Sequence, residues 1–140
     1  MSDLFTPENL ERRLTAGQRA ALARMTSRCT IRRDTGTTTT SPITGRQVKV
    51  WEVVHADLPC RVKRGNDSRT ESSGGVEVQL ATRELHFPHD VTGMEDGDLA
   101  EVTSGESAPS VWRLLDTEPA DQQTAYRVPV VQIRRPVEWG

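Results

Sequence analysis

Aromatic and other apolar residues are scarce in this chain of 140 residues. Three Trp, one Tyr and two Phe make up 4% of the sequence, and apolar residues of all kinds make up 34%. A domain of this length can bury a core without disulfides or metals, but so little apolar material predicts a thin interior. We expect one ordered domain with long polar loops, whose surface is partly completed by a neighbour.

Cysteine is also rare. Cys29 and Cys60 are too few for a disulfide-rich secreted scaffold and do not follow a zinc-binding pattern. Both lie beside apolar residues in strand-like stretches, so we expect buried free thiols, with a disulfide as the alternative.

Long apolar runs and an excess of basic residues are both missing. No stretch approaches the roughly 20 apolar residues that cross a bilayer, and the opening MSDLFTPENLERRL is too polar for a signal peptide. We expect a soluble protein made in the cytosol, without membrane contact. The net charge of −2 argues against a protein whose main task is to grip nucleic acid.

Charge is nevertheless distributed unevenly. Arginines gather between Arg12 and Arg33, whereas acids dominate between Glu84 and Asp121. If these groups lie on opposite sides of the fold, the two faces suit head-to-tail self-association. Two separately solvated faces are the alternative.

Catalytic motifs are absent from the sequence: it contains no GxSxG, no P-loop, no HExxH and no GxGxxG. We therefore expect no enzymatic activity and no cofactor.

The stretch HFPHDVTGMEDGDLAEVTSG, residues 86–105, is the densest in possible metal ligands, with two histidines and five carboxylates. Phe87 and Pro88 separate His86 from His89, which interrupts the regular spacing that places two ligands on one face. We expect no metal site here. Pro88 and Gly97 instead predict a turn at an exposed rim.

A helix is predicted at the start of the chain. Thr6 followed by Pro7 is typical of a helix start. Apolar residues then recur at helical spacing, namely Leu10, Leu14, Ala21, Leu22 and Met25. The pattern indicates an amphipathic helix ending near Ser27. Gly17 and a capping-box pattern at Thr15 leave two shorter helices as an alternative.

The period changes to two after residue 28, which indicates strands. The predicted strands cover residues 29–34, 47–54, 58–63, 76–88, 98–102, 110–118 and 125–136, with a long hairpin loop at 35–45. The fold class is therefore mainly β with an N-terminal α-helix: a small antiparallel β-barrel or sandwich of six to seven strands. We predict a single domain, residues 1–140, with a helix region (1–28), a barrel (29–136) and a tail (137–140).

Two segments stand apart from this core pattern. Residues 65–75, GNDSRTESSGG, contain no apolar side chain, so we expect an unpacked, mobile loop. Trp139 lies on the tail, away from the alternating runs that place Trp51, Trp112 and Tyr126 in the core. With Arg134 and Arg135 it is predicted to contact a partner or a second subunit, with a disordered chain end as the alternative.

The order of these features resembles the small head-to-tail connector proteins of long-tailed bacteriophages, the head completion or stopper proteins. The resemblance spans the chain: an arginine-rich helix, CTIRR, a Gly/Thr/Ser hairpin, PCRV, a polar loop, a strand ending in FP, a GD turn, and the closing VWRLLD and VPVVQIRRP.

The resemblance implies a β-barrel assembled into a closed ring in the virion neck, at the head-tail interface. Twelve copies are favoured, with six as the alternative. The implied partners are the portal or adaptor protein, the tail terminator or tail-tube protein, and DNA that passes without sequence-specific binding. The 65–75 loop would face the channel, and the residues expected there are Lys63, Arg64, Asn66, Asp67, Arg69 and Glu71.

Other functions stay open at this point. A tail terminator or portal adaptor would share the barrel but contact different neighbours. An OB-like module would bind single-stranded nucleic acid through Arg61 or Arg64, whereas a connector predicts little affinity for free DNA. A metal-dependent enzyme would require His86 and His89. For the connector we expect an isolated protein that is monomeric or weakly associated, whose segments 1–6, 35–46 and 134–140 order on docking.

Overall fold

The computed structural model describes residues 7–73, 76–121 and 123–139, and for 64–73 and 76–82 it describes the backbone alone. A helix, α1 (Pro7–Ala23), precedes six strands and a single turn of 3-10 helix, Val137–Trp139. The strands are β1 (Ser27–Thr40), β2 (Gln47–Ser73), β3 (Val76–Phe87), β4 (Leu99–Ser104), β5 (Ser110–Leu114) and β6 (Tyr126–Ile133). The predicted fold class, mainly β with an N-terminal helix and six to seven strands, is confirmed.

The six strands form a closed antiparallel barrel in the order β1-β2-β3-β6-β5-β4. Closure occurs because β1 pairs with β2 on one side and with β4 on the other. Of the two predicted architectures, the barrel is therefore the observed one, and closure protects the backbone groups of the wall from unpaired edges.

Alternation along the strands builds the core. Cys29, Ile31, Leu85 and Phe87 are fully buried, and Thr30, between the first two, is partly exposed. The rest of the buried cluster consists of Cys60, Met94, Ala100, Val102, Trp112, Leu114, Tyr126, Val128 and Val130. The core placement of Trp112 and Tyr126 is confirmed.

The two cysteines are buried free thiols, as predicted. A hydrogen bond with Cys60, together with burial, raises the pKa of the Cys29 thiol. Both side chains therefore act as small apolar core residues.

Helix α1 is one continuous helix that ends at Ala23, four residues before its predicted end. Gly17 lies inside it rather than at a break. A Cβ at this position would lie 2.7 Å from Cγ2 of Thr124, so the glycine allows the helix to approach the segment before β6. No helix in the described ranges is long and apolar enough to cross a membrane.

Two loop predictions are wrong. Strand β1 continues to Thr40, so the predicted hairpin loop 35–45 shrinks to a turn between Thr40 and Gln47. The two strands predicted between 47 and 63 are one strand, in which Pro59 pairs with Arg28. Proline is tolerated at this position because β2 pairs with β3 only from Arg61 onward. Residue 59 therefore does not have to donate a backbone N–H to β3.

Candidate interaction surfaces

The β2–β3 hairpin extends beyond the barrel wall. Strand β6 pairs with β3 only from Arg83 onward, and β1 pairs with β2 only as far as Cys60. Beyond the Arg64–Arg83 pair, the two strands continue from Ser68–Ala81 to Ser73–Val76 with each other as their partners. We name this two-stranded segment, residues 65–82, the long ribbon; the seven β3 residues 76–82 set its paired length at about 23 Å, because β2 bulges between Arg64 and Ser68.

The predicted loop at 65–75 is therefore wrong for residues 65–73, because they belong to β2; residues 74–75 lie outside the described residues. The expected channel-facing residues Lys63, Arg64, Asn66, Asp67, Arg69 and Glu71 are all on this strand. The error has a physical cause: an apolar side chain is needed for packing in a core, whereas a ladder of backbone hydrogen bonds can continue through polar residues once neighbouring strands are aligned.

A second ribbon leaves the barrel in the β1–β2 hairpin. Pairing between β1 and β4 ends at Arg32–Leu99, and beyond it β1 pairs with β2 alone from Thr38–Lys49 to Thr40–Gln47. We name residues 34–51 the short ribbon. Because one ribbon contains the first residues of β2 and the other contains its last residues, the two project from opposite ends of this strand.

Helix α1 buries no residue. Leu10 and Leu22 expose 46% and 49% of their surface, although both belong to the apolar stripe of the helix. One contact between the helix and the barrel is a hydrogen bond that Gln18 Nε2 donates to the carbonyl of Gln123, at 3.3 Å. A helix of this length is marginal without tertiary packing, so this face is incomplete in the isolated chain.

The C-terminal residues 134–139, here called the strap, cross the outside of the barrel. Arg135 Nε donates to Glu101 Oε2 on β4 at 2.6 Å. The ring of Trp139 lies 4.8 Å beneath the guanidinium of Arg32 on β1 and meets Trp51 of β2 edge-on, with 5.2 Å between ring centroids. Three strands of the wall are thereby connected by one segment.

The strap bears on two predictions. Trp139 packs on its own barrel, so the tail aromatic is not without an intramolecular contact. Contact of Arg134, Arg135 and Trp139 with a partner or a second subunit stays a prediction, and Arg134 is exposed. Trp51 is outside the core, half-buried against Trp139, and its Nε1 donates to Glu138 at 3.1 Å. Of the segments expected to order on docking, residues 35–46 and 134–139 are described in the single chain, and residues 1–6 and 140 lie outside the described residues.

Residues 88–98 of the acidic stretch form the predicted turn between β3 and β4. Asp98 is buried and its carboxylate accepts two hydrogen bonds from Arg33, at 2.9 and 2.8 Å. It also accepts the backbone N–H of Glu95 at 2.8 Å. Gly93 and Gly97 adopt positive φ angles of 85° and 90°. A bidentate ion pair thus holds the turn against β1.

The two histidines of this stretch lie in different environments. His86 is 6% exposed, and His89 is on the surface. Burial, followed by the charges of Arg127, Lys63 and Arg61, lowers the pKa of His86 to about 4. In the described ranges no three His, Cys, Asp or Glu side chains are placed to hold a metal ion.

Sequence reasoning missed the contacts that depend on strand pairing. Arg32, Glu101 and Glu138 carry no local signal for the strap, because their partners are far away along the chain. The same holds for Arg33 and Asp98, which are 65 positions apart. No periodicity in the sequence reports such contacts.

The fold and surfaces define a small closed β-barrel with two protruding ribbons and an under-packed helix. The chain belongs to DUF6093, a family of unknown function, which matches residues 17–131. No curated protein matches it.

Two solved structures are similar to the chain. Protein SF1141 from Shigella flexneri 2a has 21% identity and a TM-score of 0.50, over 78% of this chain and 93% of that one. Protein xkdH of the phage-like element PBSX from Bacillus subtilis has 13% identity and a TM-score of 0.39, over 76% and 92%. The first likeness concerns the fold alone, and the second is too low to carry an argument.

Proposed function

We propose that this protein is a structural component of a phage or phage-like particle, where it forms a ring in the neck that joins the head to the tail. The observation that carries the proposal is the incomplete surface. Two ribbons leave opposite ends of β2, and α1 presents half-exposed leucines. A two-stranded ribbon is marginally stable alone in water, so these elements fit a protein that is completed by neighbours.

The resemblance to connector proteins supports the more specific role. The polar segment that the resemblance implies for the channel corresponds to the long ribbon, which is long enough to reach well away from the wall. In a ring, twelve or six such ribbons would converge on the axis and line or close the DNA path. The protein would act without catalysis, and its partners would be the portal or adaptor on one side and the tail terminator or tail tube on the other.

A module for single-stranded nucleic acid is less well supported. Such modules stack bases on exposed aromatic rings. Among the aromatic side chains that the structure describes, Phe87, Trp112 and Tyr126 are buried, and Trp51 packs against Trp139. This distribution leaves the bases no stacking platform on the described surface.

Removal of the gene from the genome that carries it tests the proposal. We expect filled heads and separate tails in lysates, and joined particles after addition of the purified full-length protein. Purified particles should contain the protein by mass spectrometry. Normal tailed particles without the gene would contradict a role in head-to-tail joining.

A further inference from the structure

The short ribbon ends in an ordered turn that exposes a large aliphatic side chain. Ser41 N donates to the carbonyl of Arg46 at 2.8 Å, and Gly45 N donates to the carbonyl of Ser41 at 2.9 Å. Gly45 has a positive φ of 71°, which glycine adopts without strain. Ile43, within this turn, is 93% exposed. The turn therefore presents Ile43 to solvent on a preformed backbone, which lowers the entropy cost of binding.

A groove of about 760 Å³ lies between this turn and the strap. Ile43 and Val137 both line it, and Val137 is 90% exposed. Pro42 and Val48 add to its apolar lining. Single exposed apolar residues are ordinary on a protein surface, whereas several that share one concave surface indicate a contact site.

The charged residues of the groove favour an acidic ligand. Arg46 and Lys49 line it on the short ribbon, and Glu138 lines it on the strap. Glu138 already accepts the N–H of the Trp51 ring, and Lys49 Nζ lies 3.4 Å from a carboxylate oxygen of Asp34. Within the described ranges, Arg46 makes no ion pair. An apolar segment that carries carboxylates therefore fits the groove, with its acids near Arg46.

Residues 1–11, MSDLFTPENLE, have this composition. Besides Met1 they contain three large apolar residues and three acids, without any lysine or arginine: Leu4, Phe5, Leu10, Asp3, Glu8 and Glu11. Residues 1–6 lie outside the described residues, and residues 7–11 form the first part of α1. Leu10 is 46% exposed there. The segment thus complements the groove in both apolar character and charge.

Helix α1 and the short ribbon lie at the same end of the barrel, on different sides of it. Because all neighbouring strands are antiparallel, β1, β3 and β5 finish at one end. The short ribbon continues from β1. The helix lies instead by the loops that follow β3 and β5, since Gln18 donates to Gln123, which donates to the carbonyl of His89. One subunit thus presents two different surfaces, as a closing head-to-tail contact requires.

We propose that residues 1–11 of one copy bind in the groove between the short ribbon and the strap of the next copy. The assignment to a second copy rests on the proposed function, in which copies of the protein form a ring. The apolar side chains of the segment cover Ile43 and Val137, and its acids lie near Arg46 and Lys49. Each subunit donates one segment and accepts one, so the contacts close around the ring.

Paramagnetic relaxation in mixed samples of the full-length protein tests this contact. Copies with Ser2→Cys carry a nitroxide and no isotope, and they are mixed at millimolar concentration with isotope-labelled copies. Cys29 and Cys60 are buried, so the nitroxide reagent reacts at position 2. We expect broadening of the amide signals of residues 39–49 and 137–138, although nitroxide and isotope are in different molecules. Added salt should reduce the broadening, because exposed charges take part in the contact.

Substitutions in the isotope-labelled copy make the test specific. Ile43→Ser removes the exposed anchor and Arg46→Glu reverses a charge of the groove, so each should reduce the broadening several-fold. Val131→Ser, at a 44% exposed site on β6, and Arg24→Glu, just beyond the end of α1, are the matched controls. Both controls should leave the broadening unchanged. Thermal unfolding of each variant checks that the barrel is intact.

Three outcomes would overturn the proposal. Broadening that occurs only when nitroxide and isotope are in the same chain, diluted with unlabelled protein, would assign the segment to its own groove. Equal losses in all four variants would show contact without a site. Absence of broadening at millimolar concentration would show that segment and groove do not bind. None of these outcomes changes the result of gene removal, so failure here and failure of the proposed function can be told apart.

Discussion

Trp139 shows how one residue near the end of the chain connects several strands. Its ring lies near the guanidinium groups of Arg32 and Arg135, with centroid distances of 4.8 and 5.7 Å, and packs edge-on with Trp51. Cation–π contacts and aromatic pairs each contribute about 0.5–1.5 kcal/mol at partly exposed sites. The strap is therefore a stabilising part of the barrel.

Trp139→Ala should lower the free energy of unfolding by about 1–3 kcal/mol, because it removes both cation–π contacts and the edge contact with Trp51. Urea unfolding followed by circular dichroism measures the change. Val137→Ala, in the same turn but 90% exposed, is the matched control and should change stability by less than about 0.5 kcal/mol. Equal stability of the two variants would show that the strap does not hold the barrel.

His86 gives the protein a pH dependence of known sign. Below about pH 6.5 the unfolded chain takes up a proton at this residue, whereas in the folded protein, with its pKa lowered to about 4, the ring stays neutral. The contribution of the neutral His86 to the free energy of unfolding is therefore fully present above pH 6.5. It is lost as the pH falls toward 4, by at most about 1.4 kcal/mol for each pH unit.

His86→Gln should flatten that dependence. The free energy of unfolding of the parent protein should fall more steeply between pH 6.5 and 4.5 than that of the variant. Carboxylates titrate in both proteins, so the difference between the two curves isolates His86. Parallel curves would mean that folded and unfolded chains bind the proton equally.

Among the elements, the sequence predicted those whose side chains alternate between core and solvent. Ile31, Leu85 and Val128 mark their strands because burial imposes a period of two. The same alternation predicts Trp51 in the core, yet Trp51 lies outside it, since alternation separates two faces without indicating which one is inward. The long ribbon was missed because its polar residues follow a backbone ladder that alternation does not report.

The long ribbon should be dispensable for folding and required for assembly. Arg64 and Arg83 are directly paired, so residues 65–82 can be replaced by Asn-Gly, a dipeptide that favours a tight two-residue turn. We expect the shortened protein to keep its barrel, with a melting temperature within a few degrees of the parent, and to fail to restore head-to-tail joining. Replacing residues 39–48 of the short ribbon in the same way provides a second shortened variant, which tests the opposite end of β2. Full restoration by the protein without the long ribbon would remove that ribbon from the mechanism.

At the scale of the whole molecule, the interior is thin and the surface incomplete. An isolated subunit with a half-exposed helix stripe and self-paired ribbons has little to hold a ring together before it meets its neighbours. We expect the purified protein to be monomeric or weakly associated in size-exclusion chromatography with light scattering. A stable ring at micromolar concentration would show that subunit contacts alone are sufficient.

Electron cryo-microscopy of the intact particle tests the central claim most directly. The account predicts a ring of this barrel at the junction of head and tail, with the long ribbons directed toward the DNA path and α1 covered by an adjoining subunit. A junction built without this protein, or one in which the helix and both ribbons remain free in solvent, would contradict it.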